Sequence, residues 1–194
     1  MRKSSIALLI IFFFVAVDQF LKIWVKTTMA IGESFPVLGN WFYIYFVENE
    51  GMAFGISFGE NIGKLLLSLV RIAVVILLIY YLFSQIKKKI ANWFVVVILS
   101  LIIAGAIGNI IDSLFYGMIW HYSPFLFGRV VDMFYFKLFL LPNWFPLWGG
   151  TYFFPAIFNL ADTCTTIGII TIIIWNKKFF VTKKEKHIIQ QELN

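Results

Sequence analysis

Two aspartates stand where an ordinary surface carboxylate would not. Asp132 lies in Gly128-Arg129-Val130-Val131-Asp132-Met133-Phe134, and Asp162 closes Phe158-Asn159-Leu160-Ala161-Asp162 inside an apolar run from Pro155 to Trp175. An ionisable group in a run long enough to cross a bilayer is costly, so a functional role is the default expectation. If the two carboxyls converge in a low-dielectric site they cannot both ionise, because desolvation and mutual repulsion raise one pKa. The pair then holds one proton near neutral pH, and its titrations belong to the dyad. The ionised member can take a proton from a water attacking a peptide carbonyl while the protonated member donates to the developing oxyanion. This is aspartic protease chemistry, expected here within a membrane.

Other polar residues suit a supporting role. Gly105, Gly108, Asn109 and Asp112 are three to four apart at the end of an apolar run, so on a helix they share one stripe. Small residues there let a second helix approach, and Asn109 and Asp112 then project into the contact. Asn109 and Asn159 are neutral groups that can hold carboxyls without adding charge, whereas Asp112 alternatively fixes the local architecture through helix-end hydrogen bonds. Asp18 and Lys22 are spaced i,i+4 and can pair on one helix face, either as part of the site or as an interfacial pair that only orients its helix. With His121 and His187 the only imidazoles and Cys164 the only cysteine, a metal site is poorly supplied and an intramolecular disulfide excluded. The expectation is an enzyme with no metal and no cofactor. His121 reads as an interface side chain and Cys164 as a small apolar one.

The elements that must position these groups follow from composition. Of 194 residues 61% are hydrophobic and 13% charged, against roughly a quarter charged in soluble domains, which makes this a single integral membrane domain. Four runs have the length a bilayer demands, about 6–25, 67–86, 93–111 and 155–175. Ten of the sixteen basic residues (Arg2, Lys3, Lys87, Lys88, Lys89, Lys177, Lys178, Lys183, Lys184 and Lys186) fall on one side if four spans leave both termini cytoplasmic. Topology therefore accounts for the net charge of +6 better than a nucleic-acid partner does. The first span resembles a signal peptide at its start, yet the apolar run resumes after Asp18 and Gln19 without an Ala-x-Ala-like site, so it is expected to be retained. Arg71, about one turn inside the second span, is expected to snorkel to the headgroups, with a catalytic or substrate-contacting role as the alternative. The fourth span is expected to open as helix at Pro155, where a missing N–H costs nothing.

Two outer segments join the spans. In residues 26–66 the run Trp41-Phe42-Tyr43-Ile44-Tyr45-Phe46-Val47 is aromatic and β-branched and predicts a strand, followed by Asn49-Glu50-Gly51-Met52-Ala53-Phe54-Gly55 with its paired glycines. A two-stranded sheet is marginal in water, so this β element needs the membrane or the helix ends as its second face. Residues 113–154 are too apolar for a water-exposed linker and too interrupted to span, and are expected to form an interfacial structure that presents Asp132 to the helix ends. Residues 176–194 form a charged tail, with Phe179, Phe180, Ile188 and Ile189 able to touch the membrane surface.

Taken together, five blocks resemble those of the signal peptidase II (lipoprotein signal peptidase) family over nearly the whole chain: Asp18-Gln19-Phe20-Leu21-Lys22, Asn49 to Gly55, Gly108-Asn109-Ile110-Ile111-Asp112, Val130-Val131-Asp132 and Phe158 to Asp162. The resemblance implies a mostly α membrane fold with four transmembrane helices, a small extracytoplasmic β-cradle, a periplasmic helix and an interfacial outer segment. It implies an aspartic endopeptidase of the bacterial inner membrane that removes the signal peptide of diacylglyceryl-modified prolipoproteins before the lipidated cysteine. Asp132 and Asp162 would be catalytic, and Asp18, Lys22, Asn49, Gly51, Gly108, Asn109, Asp112, Arg129, Asn159 and Ala161 would support them or bind substrate. The partners expected are the lipidated prolipoprotein and membrane lipids, no nucleic acid, with the chain a monomer and its site toward the outer leaflet. Two departures stand out: Ser113 occupies a position where the family usually has arginine, so that a basic contact is either missing or supplied from elsewhere, with Arg129 as the candidate, and the stretch 136–154 lengthens the gap between the aspartates. A proton or cation relay through Asp112, Asp132 and Asp162 is the non-enzymatic alternative, but no internal repeat accompanies it and the polar groups cluster at the outer span ends.

Overall fold

A computed structural model describes residues 2–50, 62–146 and 149–175. Gly51 and the rest of its block to Gly55, Trp148, His187 and the basic and aromatic residues of the tail lie outside the described residues. The chain begins with α1 (Lys3–Thr28), followed by strands β1 (Ser34–Leu38) and β2 (Phe42–Asn49) and the helices α2 (Lys64–Lys87) and α3 (Trp93–Ile111). A π-helical turn (Asp112–Tyr116) and a single turn, α4 (Gly117–Ile119), lead to β3 (Val130–Phe136), β4 (Ile157–Phe158) and α5 (Leu160–Ile174). Three helical stretches, Lys3–Thr28, Lys64–Lys87 and Trp93–Ile119, are long and apolar enough to cross a membrane.

Helices α1 and α2 each turn a narrow stripe inward and leave their bulk apolar residues outward. On α1 the buried residues are Ala7, Asp18, Lys22 and Val25, the last three at helical spacing, while Phe12, Phe13 and Phe20 are exposed. On α2 they are Ser68, Val75 and Leu82, a seven-residue repeat that keeps one seam facing its neighbour. Most of α3 is buried, as befits the central helix that α1, α2 and α5 all contact. Two glycines set the closest approach. A β-carbon on Gly105 would fall 2.2 Å from the carbonyl oxygen of Ala161, and one on Gly108 would fall 2.6 Å from Asp18 Oδ2 and 3.0 Å from the β-carbon of Ala161. The small-residue stripe is thus the seat of α5 and the polar part of α1.

Lys3 at the start of α1 donates to the carbonyl of Ala91 in the α2–α3 turn at 2.8 Å, so Arg2, Lys3 and Lys87 to Lys89 share one end of the bundle. The sheet sits at the other end. It is antiparallel in the order β1-β2-β3-β4, four strands where two were expected. Val25, Ile44, Phe46, Tyr116, Val131 and Met133 pack beneath it, so the helix ends supply its second face. Between the pairs Ile44 with Phe134 and Val47 with Asp132, β2 carries one extra residue, a bulge directly beside Asp132.

The chain departs from expectation after Pro155. Helix begins only at Leu160, because Ile157 and Phe158 pair with β3 and Asn159 is the N-cap. Sheet pairing overrides the local tolerance of a helix start for proline. The described part of α5 has 15 residues, about 22 Å of rise.

Candidate active site

Asp132 comes from β3 and Asp162 from the first turn of α5, and one asparagine ties them. Asn159 is fully buried; its Oδ1 accepts from the backbone N–H of Asp162 at 2.8 Å, and the Asp162 carboxylate accepts from the Asn159 backbone N–H at 3.3 Å, a reciprocal capping box. Its Nδ2 donates at 2.7 Å to Asp132 Oδ1. The remaining oxygens are also held: Asp162 Oδ1 accepts from Asn109 Nδ2 at 2.7 Å, and Asp132 Oδ2 from Asn49 Nδ2 at 3.1 Å. All four carboxylate oxygens therefore meet N–H groups of three asparagines. The side chain of Asp132 is almost completely buried, and burial, with the charge of Asp162 next, pushes its pKa up to about 7 despite the donors Asn49 and Asn159 that favour ionisation.

Behind this pair lies a second polar layer. Lys22 is wholly buried and spends its three protons on Asp18 Oδ2 at 2.9 Å, Asp112 Oδ2 at 2.8 Å and Asn109 Oδ1 at 2.9 Å. Lys22 and Asp18 are therefore core groups rather than an interfacial pair. Asp18 Oδ1 accepts the N–H of Ala161 at 2.9 Å, and Asp112 Oδ2 accepts the N–H of Val131 at 3.2 Å. One carboxylate fastens the start of α5, the other the strand that carries Asp132. Gln19 and Tyr116 were not singled out from sequence. The Gln19 amide donates to the Gly108 carbonyl at 3.1 Å and to Asp112 Oδ1 at 2.9 Å, and accepts from the Tyr116 hydroxyl at 3.1 Å. Their only signal was the place of Gln19 within the Asp18–Lys22 block.

Arg129 does not join the pair. Its guanidinium contacts Glu48 at 3.4 Å and Glu50 at 3.2 Å and lies 5.5 Å from the ring centre of Tyr122, because two carboxylates and an aromatic face draw it outward. Arg71 stands in the place foreseen for it. Rather than reaching for headgroups, its Nη1 donates to the Ser113 hydroxyl at 2.9 Å, and its side chain lines a cavity of about 270 Å³. Val70, Val74, Asn109, Asp162 and Thr165 share that lining, so Asp162 opens onto a cleft between α2, α3 and α5 with a cation on its wall. Cys164 is buried and free.

A helical bundle with a small antiparallel sheet at one end is similar in fold to solved bacterial membrane enzymes. Over 93% of both chains the fold is similar to a bacterial membrane enzyme structure obtained by the in meso method at 2.3 Å resolution, with a TM-score of 0.67 and 33% identity. A second such structure, at 1.9 Å resolution, covers 88% of this chain and 91% of its own, with a TM-score of 0.64 and 36% identity. The family model described as signal peptidase (SPase) II matches residues 10–178. A lipoprotein signal peptidase of Porphyromonas gingivalis is 47% identical over 191 residues, 89% of this chain and 83% of its own. One from Staphylococcus aureus is 37% identical over 182 residues, 94% of each chain. The chain is thus a protease of bacterial membrane type. It belongs to the signal peptidase II family.

Proposed function

We propose that the chain is an intramembrane aspartic endopeptidase that removes the signal peptide of diacylglyceryl-modified prolipoproteins, cutting immediately before the lipidated cysteine. The observation that carries the reading is the convergence of Asp132 and Asp162 on Asn159 beside a cleft between helices. Asp132, with its pKa near 7, keeps the shared proton and donates it to the carbonyl oxygen of the scissile peptide. Asp162 sits at the N-terminal turn of α5, where the helix dipole favours negative charge, and takes the proton of the attacking water. Asn49, Asn109 and Asn159 keep both carboxyls oriented while adding no charge. The reaction draws on neither a metal nor a cofactor.

In this reading α5 completes a four-pass topology with both termini cytoplasmic, and the sheet end faces the outer leaflet of the inner membrane, where a lipid-anchored substrate enters sideways. A monomer suffices, since every group the chemistry uses comes from one chain. The test is processing of a diacylglyceryl-prolipoprotein in liposomes, read by gel shift. Wild type should cleave, and Asp132→Asn and Asp162→Asn should both lose cleavage while inserting and folding normally. Near-normal cleavage by either variant would remove that residue from the chemistry.

A further inference from the structure

Between the two aspartates the chain leaves the sheet and returns to it as a hairpin. Leu141 donates to the Thr151 carbonyl at 2.8 Å and Phe153 to the Phe139 carbonyl at 2.7 Å; Leu140 bridges Tyr152, and the rings of Phe139 and Phe153 stack at 4.9 Å. From Leu138 to Ala161 there is no Asp, Glu, Lys or Arg, and Phe139, Trp144, Phe145, Tyr152, Phe153, Phe154 and two further aromatics fall in those residues. A protein surface bathed in water carries roughly a quarter charged residues. Along a strand successive side chains face opposite ways, so the exposed Leu138 and Leu140 on one face and Phe139 on the other leave both faces of this strand apolar. Trp144, near its tip, is 80% exposed.

The patch continues beyond the hairpin. At its base Lys137 donates its N–H to the Trp41 carbonyl at 2.8 Å and lays its ammonium 4.1 Å from the ring centre of Tyr43. Exposed Trp41, Leu38, Val37 and Phe35 run from there to Trp24, on the lipid-facing side of α1. An uncharged, two-faced apolar surface continuous with a membrane-crossing helix has lipid as its natural cover, and cross-strand hydrogen bonds lower the penalty of leaving water.

We infer that the hairpin formed by residues 138–146 and 149–154 inserts into the interfacial layer of the bilayer leaflet on which the dyad opens, and sets the depth at which Asp132 and Asp162 meet a lipid-anchored peptide. The inference rests on the proposed function for its leaflet and its purpose. Its chemistry, an apolar lipid surface, is independent of catalysis. Five residues separate the hairpin from Asp132 and seven from Asp162, so a shift in its depth is passed to both carboxyls.

Depth can be read without activity. Nitroxide labels would be placed at Trp144→Cys, Leu140→Cys and Phe153→Cys in a Cys164→Ala background, with Lys88→Cys as the control at the far end of the bundle. The full chain would be reconstituted in phosphatidylethanolamine–phosphatidylglycerol vesicles. The expected result is collision with oxygen exceeding collision with a water-soluble nickel chelate at all three hairpin sites, with the reverse at the control. In Trp144→Asp, KM for the lipidated substrate should rise roughly tenfold with kcat held, as expected for a loss of binding rather than of chemistry. Nickel-dominated relaxation at the three hairpin sites would overturn the inference, as would dipolar coupling between labels on separate copies, which would make a second copy the cover. Failure of all cleavage with oxygen-dominated labels would count against the proposed function and leave the hairpin's seat intact.

Discussion

At the scale of single residues, the proposed mechanism separates groups that do chemistry from groups that hold them. Lys22 is the clearest holder. Replacing it with Met leaves Asp18 and Asp112 buried without their shared cation, and breaking such a pair costs about 3–5 kcal/mol. The expected outcome is a large fall in the unfolding midpoint of Lys22→Met in detergent, with activity lost in proportion. Arg71 is expected to behave differently, since it lies on the cavity wall: Arg71→Gln should lower kcat/KM by about ten- to a hundredfold with little loss of stability, and Ser113→Ala should reproduce part of that effect. Asp132 gives a pH signature. With a folded-state pKa near 7 against about 3.9 unfolded, the native chain binds more protons than the unfolded one between those values. Stability therefore falls as pH rises through that window, and Asp132→Asn should flatten the slope in a denaturation series from pH 4 to 7. Asp132, Asp162, Asn109 and Asn159 could be read from sequence because polar groups in apolar runs are costly and stand out. Gln19 and Tyr116 could not, since neutral side chains in mixed surroundings carry no such mark. Nor could the partner of Arg71, which is chosen by the packing of α2 on α3.

At the scale of elements, the apolar runs foretold the three long helices to within a few residues, because length and hydropathy are local properties. The two-residue strand β4 was hidden, since nothing in Ile157-Phe158 distinguishes a strand from a first helical turn until β3 is beside it. The same applies to the bulge in β2, which exists only as a mismatch between two strands. The contact of α3 with α5 is where an element-scale change should tell most. Gly105→Leu would drive a branched side chain into the backbone of Ala161, so α5 must move and carry Asp162 away from Asn109. Processing should fall by about two orders of magnitude or more, as expected when reacting groups are displaced by an ångström. Asn92→Ala, which removes the side chain that accepts from Val95 N–H at the far end of α3, should cost about 1 kcal/mol and leave catalysis unchanged.

At the scale of the molecule, the two ends differ: Arg2, Lys3 and Lys87 to Lys89 gather at one, the dyad and sheet lie at the other, and bulk apolar surface runs between. If the basic end is cytoplasmic, Lys88→Cys should react with an impermeant maleimide only after the inner membrane is opened, whereas Glu33→Cys should react in spheroplasts; the reverse pattern would invert the proposed topology. The amide of Asn159 carries one further consequence. The proposed catalytic pair is joined only when α5 has wound its first turn and β3 has reached the bundle, since the same side chain caps the one and grips the other. On that mechanism, a newly inserted chain whose helices have not yet docked has two separate aspartates and no assembled site. Under the proposed mechanism, safety against stray cutting during biogenesis is built into assembly itself.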